Sequence, residues 1–130
     1  MKVISLYQPW AAWVVTGQKT IETRGHDRFR GLVGERIAIH ATKHFDEDAV
    51  AVAAPWWPIR VLKLQALQRG AIIGFADVVD ARWLHAADSA AALCPCHEGR
   101  FGLILANAKV LDVPVKIVGH QGIWTWNPEA

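Results

Sequence analysis

The densest grouping of chemically capable residues is Gly17-Gln18-Lys19-Thr20-Ile21-Glu22-Thr23-Arg24. Types alternate through it as they do along a half-buried strand. Alternation puts Glu22 and Arg24 on one face, where a carboxylate and a guanidinium pair and orient each other. Thr20 shares that face one pleat earlier, and Lys19, Ile21 and Thr23 fall on the other. Lys19 also lies on the turn leaving a short helix, so a cleft there admits its ammonium. A partly desolvated lysine beside an acid and a guanidinium suits proton transfer or stabilisation of an oxyanion. On an open rim the same trio is only a surface charge network.

A second set surrounds this one. His40 ends an Ile-Ala-Ile strand and is followed by Lys43 and His44, so His40, Lys43 and Lys19 suit a barrel mouth. Such groups serve a ribonuclease, where a base activates a 2′-hydroxyl and a cation steadies the phosphorane. His26 and His120 lie in polar turns suited to contacting phosphate. Trp10 follows Gln8-Pro9 at a helix start, where an exposed aromatic stacks on a base for about 1–3 kcal/mol. The Gln8 amide is placed to read an edge of that base. Trp13, three residues on, is a core residue.

Net charge is only +2, but its distribution is uneven. From Lys19 to Lys43 the chain holds Lys19, Arg24, Arg28, Arg30, Arg36 and Lys43 against Glu22, Asp27 and Glu35. A basic segment with aromatics nearby suits phosphate-bearing ligands. Cys94-Pro95-Cys96-His97 has a one-residue spacing that suits neither a disulfide nor a zinc knuckle. A zinc set of Cys94, Cys96, His97 and His120 is therefore set aside in favour of reduced thiols. No metal and no cofactor is expected.

These residues need a scaffold. The 130 residues suffice for one domain, and 52% hydrophobic with 20% charged residues is the balance of a globular chain. No apolar run approaches the roughly 18–20 residues of a membrane span, and the start lacks a secretory signal, so a cytoplasmic protein is expected. Strands are predicted at Val3–Leu6, Lys19–Arg24, Arg36–His40, Ala71–Val79, Gly102–Leu105 and Val113–Val118. Pro9 to Gly17 reads as a helix, as do Phe45–Ala54 and Ile59–Arg69, and residues 45–69 form a helical insertion. Residues 86–99 read as a loop with some helix and 119–126 as a turn-rich finish. Trp56-Trp57 between prolines is expected to pack the inserted helices, and Trp124 or Trp126 to plug a barrel. Several short strands among helices indicate an α+β fold built on a small closed sheet.

Residues 3–24 resemble the opening of the ASCH family, named for activating-signal-cointegrator homology and one of the PUA-like β-barrels. Its marker, Gly-x-Lys-x-x-Glu-x-Arg, is met by Gly17, Lys19, Glu22 and Arg24. Four more blocks follow in family order: Arg30-Gly31 leading to Ile37–Ala41, Gly70–Asp80, Phe101–Asn107 and Gly119–Trp124. The resemblance implies a PUA-like barrel of five or six strands with flanking helices, and a cleft lined by the marker segment. It further implies association with RNA. Some members remove acyl groups from N4 of cytidine, and others have been proposed as ribonucleases.

In the amidohydrolase members a threonine nucleophile stands where this chain has Glu22. Thr20 is about 6–7 Å away by strand rise, and Thr23 faces the opposite way, so neither replaces it. Glu22 is left to act as general base on a water, with Lys19 or Arg24 stabilising the oxyanion. The expected function is to hold single-stranded RNA or a modified nucleoside in a basic cleft. Gln8, Trp10, Lys19, Thr20, Arg24, Arg30, Lys43 and His120 are its expected contacts. The alternative is a ribonuclease or N4-acylcytidine amidohydrolase with Lys19, Glu22 and His40 as catalytic residues. The sequence leaves the oligomeric state open.

Overall fold

The computed structural model describes residues 1–56 and 64–129. Six strands form one mixed sheet: β1 (Lys2–Gln8), β2 (Ile21–Arg24), β3 (Arg36–Phe45), β4 (Ala71–Trp83), β5 (Phe101–Lys116) and β6 (Ile123–Thr125). Their order is β2-β5-β4-β3-β1-β6, with β1 parallel to β3 and every other neighbour antiparallel. Among the described residues three short α-helices accompany the sheet: α1 (Trp10–Val15), α2 (Ala49–Ala53) and α3 (Ser89–Ala92). The class is α+β with six strands, as expected, but the sheet is not closed: among the described residues β2 and β6 share no ladder. No described helix is long and apolar enough to cross a membrane.

Alternation along β1 and β3 sorts side chains between two faces. Ile4, Leu6, Ile37 and Ile39 point into the main core with Ala11, Ala12, Val14 and Val15 of α1. Five of the six α1 residues are buried, so this helix is a plug against the sheet and not a surface element. Burial of Trp13, Val14 and Val15 contributes about 1.5–3 kcal/mol each. Gly74 admits the helix, since a Cβ there would strike the Lys109 carbonyl and lie 2.7 Å from Val15 Cγ1. Val3, Ala38 and Ile72 face the other way, under Trp124 and Trp126. Both tryptophans therefore cover a sheet face and do not plug a barrel.

The largest differences from the sequence reading arise where ladder pairing outweighs local pattern. β3 continues past His40 to Phe45, with Gln8 opposite Phe45, and the helix expected from Phe45 shrinks to α2. β4 runs to Trp83, and the two strands expected at 102–105 and 113–118 are the single β5 beside it. Register shifts at Ile72/Gly74, Phe75/Asp77 and Val78/Asp80 let these long strands bend together. Of the helix expected over 59–69, residues 59–63 lie outside the described residues, and Leu64–Leu67 is one 3-10 turn. Trp57 lies outside them too, whereas Trp56 packs with Trp13, Ala49, Ala53 and Leu93.

Candidate functional site

The end of α1 places Lys19. Thr16 Oγ1 donates to the Ala12 carbonyl at 2.7 Å, and Gly17 takes a φ of +79°. The Trp13 carbonyl then accepts both the Gln18 and Lys19 amides, at 3.0 and 2.9 Å, which turns the chain back beneath the helix. β2 begins only at Ile21, so strand alternation does not extend to Lys19 or Thr20. This corrects the expected faces: Lys19 joins Glu22, while the exposed Thr20 lies away from the main cleft, beside Leu105 and Ala106.

The Lys19 side chain is 2% exposed, and its Nζ donates to the Ala92 carbonyl at the end of α3. That ammonium lies 3.9 Å from Glu22 Oε1 and 4.9 Å from the centre of the Trp10 ring. Glu22 Oε2 lies 3.6 Å from Arg24 Nη2, so the carboxylate bridges two cations. The Arg24 guanidinium covers the Phe29 ring at 4.7 Å, a contact worth about 0.5–1 kcal/mol. Its buried Nε has no hydrogen-bond partner among the described residues. Trp10 is oriented by its indole N–H, which donates to Asp46 Oδ2 at 2.8 Å. α3 is itself anchored by Asp88, which accepts 2.9 Å bonds from both Arg82 terminal nitrogens and one from the His85 amide at 3.0 Å. These donors hold the Asp88 carboxyl well below the usual carboxylate range.

Lys19, Glu22, Arg24 and Trp10 form one wall of a cleft of about 1570 Å³, whose lining also includes His40, Lys43 and His120. Both edge strands contribute, β2 through Glu22, Thr23 and Arg24 and β6 through Ile123, so the cleft occupies the gap the open sheet leaves. Among the described residues six cations line it (Lys19, Arg24, Arg28, Lys43, Arg69 and Lys116) against two carboxylates, Glu22 and Asp46. Of these cations, Arg28, Lys43, Arg69 and Lys116 have no ion pair among the described residues.

Two more expected contacts lie elsewhere, besides Thr20. Gln8 is 1% exposed: its amide nitrogen donates to the Ala66 and Gln68 carbonyls at 2.6 and 2.8 Å, and its oxygen accepts the Ala12 amide at 3.0 Å. An amide with both N–H donors used and its oxygen buried on the Ala12 amide tethers β1 to α1 and is out of reach of a base edge. Arg30 stands over Phe101 at 4.7 Å and beside Asp27, off the cleft wall. Sequence reasoning missed Arg69 and Lys116, which are distant in sequence and gathered by the Ala71–Lys116 register.

His40 is buried in a relay. Its Nε2 faces the Ile117 carbonyl at 2.8 Å, which requires N–H there, so Nδ1 accepts from the Ser5 hydroxyl at 3.2 Å. Ser5 Oγ in turn accepts from the Trp124 indole at 3.0 Å. Burial, with His120 adding to it, holds the His40 pKa below its ordinary value, although the Ile117 bond opposes the shift. Its contacts are thus with Ser5, Ile117 and Trp124, and not with the Lys19–Glu22 pair. Cys94 and Cys96 are free thiols, and no described group of three His, Cys, Asp or Glu is arranged to hold a metal.

The family model described as the ASCH domain matches residues 4–115. The chain belongs to the ASCH domain family. The marker string of this ASCH domain is the same segment that brings Lys19, Glu22 and Arg24 to the cleft wall. Its fold is similar to the crystal structure of ASCH from Zymomonas mobilis, with a TM-score of 0.65 at 18% identity over 98% of this chain and 88% of that one. Two mutants of that protein match similarly. A serine-to-alanine mutant gives 0.62 at 18% identity, covering 98% and 89% of the two chains. A tyrosine-to-phenylalanine mutant gives 0.62 at 17%, covering 98% and 91%. At such identities the likeness establishes the fold alone. No curated protein sequence matches this chain.

Proposed function

We propose that this ASCH domain binds single-stranded nucleic acid, RNA in the first instance, in the cleft between its sheet edges. The observation that carries the reading is charge: among the described residues six cations against two carboxylates line one cleft, in a chain whose net charge is only +2. One of those carboxylates, Asp46, already accepts from Trp10 and from the Asp48 amide. Unpaired like charges gathered in a concave wall repel one another until an anion enters, and they focus field lines that draw it in. Trp10, held by Asp46 beside Lys19, supplies an aromatic surface at the same wall. A cytoplasmic setting accords with the free thiols of Cys94 and Cys96.

A second reading, hydrolysis of RNA or of an N4-acylated cytidine, is favoured by the Lys19–Glu22 pair at 3.9 Å in the wall. Glu22 would take a proton from water, and Lys19 or Arg24 would face the developing oxyanion. A threonine nucleophile has no support here. Thr20 lies outside the cleft. Thr23 does line it, contrary to the expected facing, but the described partners of its hydroxyl are Arg100 at 2.9 Å and Cys94 at 4.0 Å, and neither is a general base for it.

One experiment separates the two readings. End-labelled single-stranded RNA, and DNA of the same sequence, are incubated with the protein and with Arg28→Ala, then run on native and denaturing gels. Binding gives a shifted, intact RNA band that weakens in the variant and with added salt, log K falling by about 0.7 per contacted phosphate for each unit of log salt. Shortened products, lost with Glu22→Gln while the native shift persists, favour the hydrolase. No shift and no product removes both RNA readings.

A further inference from the structure

Resting on that reading, we infer that the cleft continues into a second subsite made by Lys43, Arg69 and Lys116 with Tyr7 and His44, and that its ligand is therefore an oligonucleotide and not a free nucleoside. Three separate elements bring the cations together. Lys43, near the end of β3, lies across Gly70, where an added Cβ would be 3.3 Å from its Cε. Arg69 Nη1 donates to the Lys43 carbonyl at 3.4 Å. Lys116, at the end of β5, has its chain pinned by the Ala71–Lys116 register and by the Ile117 amide donating to the Gly70 carbonyl at 3.2 Å. All three side chains are exposed, all line the cleft, and none is ion-paired among the described residues. Glu47 and Asp48 follow in the chain and are exposed, yet neither pairs with them.

Tyr7 lines the same cleft, backed by His44. Tyr7, 52% exposed, packs on the exposed His44 ring with centroids 4.2 Å apart. Large exposed aromatics beside unpaired cations suit a chain whose backbone is anionic and whose bases are free to stack. A nucleoside has no phosphate, and one lodged at Trp10 and Lys19 would leave these three cations without an anion and the exposed Tyr7 ring without a base. A strand with its first bases near Trp10 continues past them, with phosphodiesters beyond the first two nucleotides at Lys43, Arg69 and Lys116 and a later base against Tyr7. A duplex keeps its bases stacked on one another and offers Tyr7 no free face.

The test measures fluorescence anisotropy with labelled oligoadenylates: a dimer, a tetramer and an octamer. Compared with the protein are Tyr7→Ala and the triple variant Lys43→Ala, Arg69→Ala, Lys116→Ala. Every substituted side chain is exposed, and circular dichroism confirms the fold. The octamer is expected to lose about tenfold in affinity with Tyr7→Ala and more with the triple variant, whose salt slope falls by about 2. Dimer binding is expected to be unchanged in both. Equal losses for dimer and octamer, or none for the octamer, overturn the second subsite while leaving binding in the cleft intact. A parent protein that holds no oligonucleotide overturns the cleft reading and this inference together.

Discussion

Lys19 is the residue whose replacement tests the architecture of the site most directly. Its side chain is 2% exposed, and its ammonium serves the Ala92 carbonyl while balancing a Glu22 carboxylate that is itself 9% exposed. Lys19→Met keeps the length and apolar volume of the stem and removes only the charge and its donors. The Ala92 carbonyl then loses its side-chain donor in a buried position, which costs about 1–3 kcal/mol. Glu22 loses one of its two cations. Stranding a buried carboxylate completely costs about 3–5 kcal/mol, but Arg24 remains at 3.6 Å, so only part of that applies. Together these terms predict about 2–4 kcal/mol of lost stability. Lys19→Ala adds a stem-sized void and falls at or above the top of that range. Urea unfolding followed by tryptophan fluorescence measures both. Glu22→Gln, alone and combined with Lys19→Met, completes a cycle whose coupling is expected at about 1–3 kcal/mol. A Lys19→Met protein within about 0.5 kcal/mol of the parent, the range of an ordinary surface change, refutes the idea that this ammonium is structurally engaged. The same reasoning explains why binding is better tested at the exposed Arg28: a variant at Lys19 changes the fold and the cleft together.

Two further outcomes follow from the His40 relay. The folded protein holds the His40 pKa below its ordinary 6.5, so as pH falls the unfolded chain takes up that proton first. Its stabilising contribution is complete above pH 6.5 and is lost as pH falls toward the folded value. The urea midpoint should therefore drop between about pH 7.5 and pH 5.5, and His40→Gln should flatten that slope; an equal slope in the variant removes His40 as its source. Asp88 acts in a separate window, below its ordinary 3.8, and does not confuse the result. Gly119 lies against the relay, where a Cβ would overlap the His40 ring and come 3.0 Å from Ser5 Oγ. Gly119→Ala is expected to cost about 1–3 kcal/mol and to disturb the near-ultraviolet signal of Trp124, whereas Gly31→Ala, with open space around it, serves as control. Equal stability of the two variants would show that the relay tolerates displacement.

The sequence alone determined the α+β class, the family pattern and the pairing of Glu22 with Arg24. Alternation in Ile21-Glu22-Thr23-Arg24 is encoded within four residues and survives in any sheet that accepts the strand. The buried Trp13 was legible for the same reason, as a large apolar residue in a short helix closed by Gly17. Where the pattern was extended by two residues to Thr20 and Lys19 it failed, because their positions depend on the Trp13 carbonyl and on α3, some seventy residues away. Gln8 was misjudged similarly: its type suits a ligand, but the Ala66 and Gln68 carbonyls reach it first. Tertiary structure alone decided that Arg69 and Lys116 line the same cleft as Lys43 and Arg24, and that His40 is locked between Ser5 and Ile117. Local periodicity reports which way a side chain leaves its own element. Which side chains then meet is set by register and packing between elements far apart in sequence, and a pattern a few residues long carries no record of that.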